Sequence, residues 1–478
     1  MALHLAARTL SDEPRSPVTN VHLNADATLF ASSTIEGWVI YQTNPLQVVS
    51  RKDLADSSLS ICVPLERTNL VFLVGGPPTP LYPPNKVVLF DVKADRAVAE
   101  LEFREEVRGL AARRDRLVVA LRRRVIVFVL GQGQAGIWRE GTYETTDNPK
   151  GLVSLASAAG SSILAFPGRQ PGQVQIVRLP ALDSTLPAMP PPPSHDPTSA
   201  PYPAVSVLLA HTSALAAISV TPDGRLLASA SKQGTLVRIW DTQTSRLVKE
   251  LRRGTDSAEI FSLSLRADGG AVAVSSDKGT VHVWDLHRHK KDAEAQQQQE
   301  SGSGASTPRQ KQLSMLKPYL PKYFSSEWSH SQFRLPAPAT PPSRLPYSLS
   351  NPSTYPSSAF SSAGTTTATS APTVEDDVCI CAWIDGSSNH GQNERSDPSD
   401  FRSSQLVAIT RSGGWFRVAF DSEPLPNADA KGKGRATEQR SGPRAGAKAT
   451  EGVIGLDKDS TSDCRVVEYR RFGQKDGW

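Results

Sequence analysis

Two adjacent arginines carry the most distinctive chemistry in this chain, in Leu251-Arg252-Arg253-Gly254, which closes the run Val248-Lys-Glu-Leu-Arg-Arg-Gly. Successive side chains of an extended strand point to opposite sides, so one chemical group cannot easily hold both guanidiniums. Two separate anion sites flanking the strand follow. For a lone Arg-Arg pair a solvated basic turn is the bland alternative, and the neighbours argue against it. His211, Ser229, Ser231, Gly234, Thr235 and Arg238 precede the pair, and Ser276, Gly279, Thr280 and His282 follow it. Hydroxyls and glycine N–H groups supply direction and a cation supplies charge, a set that suits phosphate. The planar guanidinium fork can also bond two oxygens together.

Other motifs carry less. Gly131-Gln-Gly133-Gln-Ala-Gly136 has the G-x-G-x-x-G spacing, but Trp138 and the Tyr143–Pro149 region do not read as the phosphate-binding helix that the motif requires. Cys379-Ile-Cys381 puts two thiols on one face of a strand. A tetrahedral metal site needs two further ligands that cannot be placed, so these thiols are expected to pack in the core. Arg122-Arg-Arg124 reads as a solvated hairpin. No nucleophile elbow, P-loop, H-E-x-x-H or kinase signature occurs, so neither an enzyme nor a cofactor is expected.

The elements that position these residues read as strands. Apolar alternation with turn signals runs through Val21–Tyr41, Leu59–Phe90, Val107–Leu130, Leu152–Leu179, Ala214–Trp240, Ile260–Trp284 and Val378–Phe420. None of these stretches sustains a 3.6-residue apolar period, so the class is all-β, closed or radial. Ser231-Lys-Gln-Gly-Thr235 leads to Trp240-Asp241, and Ser276-Asp-Lys-Gly-Thr280 leads to Trp284-Asp285; the two Trp-Asp pairs stand 44 residues apart. That spacing lies within the roughly 40–45 residue period of WD40 propeller blades, and seven blades need about 280–315 residues. A seven-bladed β-propeller spanning 1–478 is the expectation. Turns precede the second strands at Thr221-Pro-Asp-Gly224 and Ala267-Asp-Gly-Gly270. In ordinary WD40 blades a His near position 211 bonds a buried Asp, which here would fall at Gln233 and Lys278. His211 is therefore expected to lack its usual structural partner, that Asp, and the proposed pockets are expected to lack a repelling carboxylate.

Low-complexity stretches absorb the remaining length. Residues 182–203 and 336–372 are rich in Pro, Ser and Thr, 287–312 contain a Gln/Glu/Gly/Ser run, and 424–452 are rich in Gly, Lys, Arg and Ala. Each lacks the apolar surface to offset its ordering entropy and is expected to be a disordered loop or linker. A net charge of +5 from 53 Lys+Arg and 48 Asp+Glu is too mild for a nucleic-acid coat. Four cysteines make no disulfide framework. No apolar run reaches the roughly 18 residues of a membrane span. The first ten residues do not read as a secretory signal. A reduced, cytosolic, soluble and monomeric protein is expected.

With these residues in place, the chain resembles the PROPPIN family, the WD-repeat phosphoinositide-interacting propellers of autophagy. Leu251-Arg252-Arg253-Gly254 stands where the family has Phe-Arg-Arg-Gly. Leu73-Val-Gly-Gly76, Arg113-Arg-Asp-Arg116 and Gln233-Gly-Thr235 are similar as well. Tyr82-Pro-Pro-Asn-Lys86 and Leu320-Pro-Lys-Tyr-Phe-Ser-Ser326 look most like the small-propeller branch. The resemblance covers most of residues 18–335; the C-terminal blade fits more loosely.

It implies that Arg252, with His211, Ser229, Ser231, Thr235 and Arg238, lines one headgroup site. Arg253, with Ser276, Thr280 and His282, lines a second, and Gly234 and Gly254 belong to the same lipid-binding set. The implied ligands are phosphatidylinositol 3-phosphate and 3,5-bisphosphate. Leu251 in place of Phe is expected to be a packing anchor with little effect on lipid binding. The segment after Trp284-Asp285 carries Leu313, Met315, Leu316 and Leu320 among Lys311, Lys317 and Lys322, the pattern of an interfacial amphipathic turn that Pro318 limits. It is equally readable as a loop on its own propeller, and the resemblance favours membrane contact. Asn24 and Asp26 fall where the family scaffolds an autophagy lipid-transfer protein, although both also read as turn residues. The expected location is cytoplasmic, peripheral on preautophagosomal, endosomal or vacuolar membranes. The rival reading is a WD40 protein–protein scaffold without lipid binding.

Overall fold

A computed structural model describes residues 18–54, 57–131, 136–158, 161–180, 204–287, 327–329, 331–335, 377–384, 404–420 and 464–473. These residues form seven sheets with four antiparallel strands in chain order, one of them extended by a short fifth strand that pairs in parallel. Blade 1 is Val18–Leu23, Leu29–Thr34, Gly37–Gln42 and Gln47–Asp53; blades 2 to 4 occupy 59–102, 109–144 and 154–209. Blade 5 is Leu215–Val220, Leu226–Ser231, Leu236–Asp241 and Leu247–Arg252. Blade 6 is Ile260–Leu265, Ala271–Ser276, Thr280–Asp285 and Ser331–Arg334. Blade 7 is Cys379–Ile384, Gln405–Thr410, Gly414–Phe420 and Cys464–Arg471. The expected seven-bladed propeller is the observed fold. The first strands of successive blades pack together, for example 215–220 against 260–265 and 260–265 against 379–384, and so form the inner ring.

Burial explains which residues sit where. Second strands such as Leu29–Thr34 and Ala271–Ser276 are buried along their whole length, because neighbouring blades cover both faces. Small residues in them, Ala271, Ala273, Ser275 and Ser276, let the sheets approach. Fourth strands lie at the circumference and stay largely exposed, as in Gln47–Asp53 and Arg96–Glu102. Between blades 5 and 6 the core contains Val237, Ile239, Leu251, Ile260, Val272 and Trp284. Leu251 is fully buried here, as expected of an anchor. Cys379 and Cys381 are likewise buried between blades 6 and 7, in a cluster with Val281 and Phe416.

Blades 1 and 7 meet through side chains, since each draws all four strands from its own stretch of chain. Phe30 stacks on Tyr41 with centroids 4.9 Å apart, and Phe472 meets both edge-on at 5.3 and 5.5 Å. Trp415 donates its indole N–H to the Thr43 carbonyl at 3.0 Å, and the Gly473 amide donates to the Tyr41 hydroxyl at 3.1 Å.

Candidate lipid headgroup sites

The turns between second and third strands in blades 5 and 6 are built alike. Gly234 N–H donates to the Ser231 carbonyl at 2.9 Å, and Gly279 N–H donates to that of Ser276 at 3.2 Å. Both glycines have a left-handed backbone, φ +63° and +65°. A Cβ on Gly234 would lie 1.9 Å from the Ala258 carbonyl oxygen, so only glycine fits that turn. Ser231 and Ser276 are buried at the start of each turn, and Thr235 and Thr280 are part-buried at its end.

The two arginines stand at and just past the end of the outer strand of blade 5, where alternation sends successive side chains to opposite faces. Arg252 is part-buried, opposite Leu236 on one side and Trp328 on the other. Trp328 belongs to Glu327–Trp328, which returns from the long blade 6 insertion and pairs in parallel with Leu251 and Arg252. Arg253 turns toward blade 6 and keeps only 7% of its surface exposed. Its Nε donates to the Gly234 carbonyl at 2.6 Å, and its Nη2 bonds the Asp256 carbonyl. Burial lowers its pKa, and the nearby carboxylates of Asp277 and Asp256 work against that shift. Gly254 is part-buried and open on its Cα side.

His282 stands on the third strand of blade 6, 6% exposed, with Nδ1 3.2 Å from the Ser329 hydroxyl. Desolvation, followed by the Arg253 charge, pulls its pKa from 6.5 to about 4, so it is neutral at pH 7. Ser276 Oγ, buried beside this turn, has no hydrogen-bond partner among the described residues. Ser329, which the sequence reading missed, joins the insertion's return segment to this side of the rim; its hydroxyl also accepts from Gln332 at 3.0 Å.

On the blade 5 side the structure corrects two expectations. His211 does have a structural partner, because its Nε2 lies 2.9 Å from the Ser229 hydroxyl, which also accepts the Trp240 indole N–H at 3.0 Å. Ser229 is fully buried in this relay and has no surface to offer a headgroup. Carboxylates are also present. Glu250 faces Arg238 across the strand pair and accepts from its Nε at 2.9 Å, while Arg238 Nη1 donates to the Ala210 carbonyl at 2.6 Å. Glu250 could have been found two residues before Arg252, but its pairing depends on strand register. His211 is pulled down to about 4 by burial and then by the Arg238 charge.

The remaining expectations resolve in different ways. Asn24 is 4% exposed, and its carboxamide oxygen accepts the Leu29 amide at 3.0 Å, so it is a turn residue with little surface for a partner. Asp26 is exposed at the same turn, with Oδ1 accepting from the Thr28 amide at 3.1 Å and hydroxyl at 2.7 Å. Gly131 and Gly136 close a hairpin through a 2.8 Å backbone hydrogen bond between antiparallel strands, which removes the strand–helix context that a dinucleotide needs. Arg122 is exposed and paired with Asp147 at 2.6 Å. Leu313, Met315, Leu316 and Leu320 lie outside the described residues.

Residues 198–334, the stretch carrying both sites, match the PROPPIN family model. SVP1-like protein 2 of Emericella nidulans is 37% identical over 265 residues, covering 55% of this chain and 74% of the relative. The chain belongs to the PROPPIN family. Autophagy-related protein 18e of Arabidopsis thaliana is 32% identical over 332 residues, 68% of this chain and 78% of that protein. Among solved structures, Kluyveromyces lactis Hsv2 has the same fold, with a TM-score of 0.55 at 17% identity over 86% of this chain and 95% of that one. PROPPINs are non-enzymatic propellers, a family known for phosphoinositide binding in autophagy.

Proposed function

We propose that the rim of blades 5 and 6 binds two headgroups of 3-phosphorylated phosphoinositides, phosphatidylinositol 3-phosphate or 3,5-bisphosphate. Through them the protein positions autophagy factors at preautophagosomal, endosomal or vacuolar membranes. The divergence of Arg252 and Arg253 carries the reading. Strand alternation from Leu251, buried between blades 5 and 6, turns Arg252 to the other face, toward the set His211, Ser231, Thr235 and Arg238, while the Gly234 carbonyl holds Arg253. Arg253 and Gly254 lead toward Ser276, Thr280 and His282 of blade 6. Two sites on one rim make the second binding event intramolecular, which raises avidity by about 10²–10⁴-fold over a single site. The blade 6 insertion, with Leu313, Met315, Leu316 and Leu320, supplies an interfacial contact, and the exposed Asp26 turn serves a lipid-transfer partner.

The rival reading, a scaffold without lipid binding, draws support from how much of the cationic set is engaged within the protein. Arg238 holds Glu250, and Arg253 holds two carbonyls. Flotation on vesicles containing the 3-phosphate lipid separates the two. Arg252→Ala and Arg253→Ala are each expected to weaken flotation in part, and the double change to nearly abolish it. Undiminished flotation of the double variant would leave the scaffold reading standing.

A further inference from the structure

The equivalent turns of blades 5 and 6 carry opposite charges at their second position, Lys232 and Asp277. Ser231-Lys232-Gln233-Gly234-Thr235 corresponds residue by residue to Ser276-Asp277-Lys278-Gly279-Thr280. The backbone bonds agree as well: Lys232 N–H reaches the Ala214 carbonyl at 2.8 Å, and Asp277 N–H reaches that of Glu259 at 3.0 Å. His211 and Arg253 hold equivalent places beyond the outer strands of blades 4 and 5: His211 N–H donates to the Gly172 carbonyl and Arg253 N–H to that of Thr235, both at 2.9 Å. Arg253 therefore feels the Asp277 charge of the next blade's turn, whereas the equivalent place one blade earlier holds His211 and the turn that follows it carries Lys232.

Asp277 is poised to matter. Its Oδ1 is buried and has no hydrogen-bond partner among the described residues, while its Oδ2 lies 3.7 Å from Lys278 Nζ. A carboxylate held there opposes part of the Arg253 charge that a phosphate would otherwise meet. On the blade 5 side, Arg252 and Lys232 act with the Arg238–Glu250 pair. On the blade 6 side, Asp277 and Asp256 stand against Arg253 and Lys278.

We propose that Asp277 is a specificity-determining residue, which makes the blade 6 site discriminate against headgroups with a second phosphate and leaves the bisphosphate to the blade 5 site. The inference rests on the two-site lipid reading. Each added phosphate charge brings repulsion from a fixed carboxylate, and in a part-buried setting this repulsion changes affinity by about fivefold.

The test uses the full chain and water-soluble short-chain phosphatidylinositol 3-phosphate and 3,5-bisphosphate, titrated calorimetrically. Arg252→Ala reports the blade 6 site and Arg253→Ala the blade 5 site. The bisphosphate-to-monophosphate preference is expected to be at least about fivefold greater in Arg253→Ala than in Arg252→Ala. Adding Asp277→Asn, or Asp277→Lys to recreate the blade 5 charge, to Arg252→Ala is expected to raise bisphosphate affinity more than monophosphate affinity. Far-ultraviolet circular dichroism verifies that each variant is folded. Equal preferences in the two single-arginine variants, or no response to either Asp277 change, would overturn the proposal while leaving lipid binding intact. Loss of all binding in both single variants would also overturn it, by removing the independence of the sites. An unaltered chain that binds neither lipid defeats the two-site reading itself.

Discussion

At the scale of single residues, three histidines, His282 buried and His22 and His211 part-buried, tie protonation to stability. His22, His211 and His282 are each pulled from 6.5 to about 4, chiefly by desolvation. Between those values the unfolded chain binds more protons than the folded one, so this contribution is full above about pH 6.5 and is lost as pH falls toward about 4. The urea midpoint is therefore expected to fall on acidification through that window, and His211→Gln to flatten the decline. A phosphate brought beside His211 or His282 favours the imidazolium. Lipid binding is thus expected to take up protons and to tighten from about pH 7.5 to about pH 5.5, measured by flotation while the fold persists. Ser229→Ala orphans the buried Trp240 N–H and is expected to cost about 1–3 kcal/mol in urea denaturation. The residue chemistry was only half legible in the sequence. The Arg252–Arg253 pair and its hydroxyl neighbours can be read from type and spacing. The Arg238–Glu250 pair and the His211–Ser229–Trp240 relay depend on cross-strand register, which spacing alone does not supply.

At the scale of strands and turns, legibility followed burial. Each of the seven alternating stretches in the sequence covers the first three strands of one blade to within three residues at either end, because these are covered on both faces and read as apolar or small. The fourth strands escaped, as in Gln47–Asp53 and Arg96–Glu102, since strands at the circumference carry polar and charged residues. Cys464–Arg471 was harder still, coming after a long low-complexity stretch. The tight turns offer a direct test of how backbone supports the site. Gly234→Ala forces a Cβ into the Ala258 carbonyl and displaces the oxygen that accepts from Arg253 Nε. It is expected to destabilise the fold by more than about 1 kcal/mol, and to weaken headgroup binding more in the Arg252→Ala background than in Arg253→Ala. Denaturation and short-chain lipid titration check the two effects. Leu251→Ala empties a fully buried position between blades 5 and 6, with an expected cost of about 2–5 kcal/mol in the same denaturation assay.

At the scale of the whole molecule, the ring closes at one seam, between blades 1 and 7, that no connection between consecutive strands crosses. Phe472→Ala removes a buried ring that touches both Phe30 and Tyr41, and is expected to lower stability by about 3–5 kcal/mol, read from the urea midpoint. The same seam sets Gly473 beside Val18, where a Cβ on the glycine would come 3.4 Å from the valine methyl. The first and last described residues of the torus are thus near neighbours. A short peptide tether could splice them and turn the seam into continuous chain, with new ends opened by a cut inside the blade 6 insertion. Such a circular permutant would retain every blade while severing the blade 6 insertion, so that the ring's own grip on a vesicle could be weighed apart from that of the inserted arm.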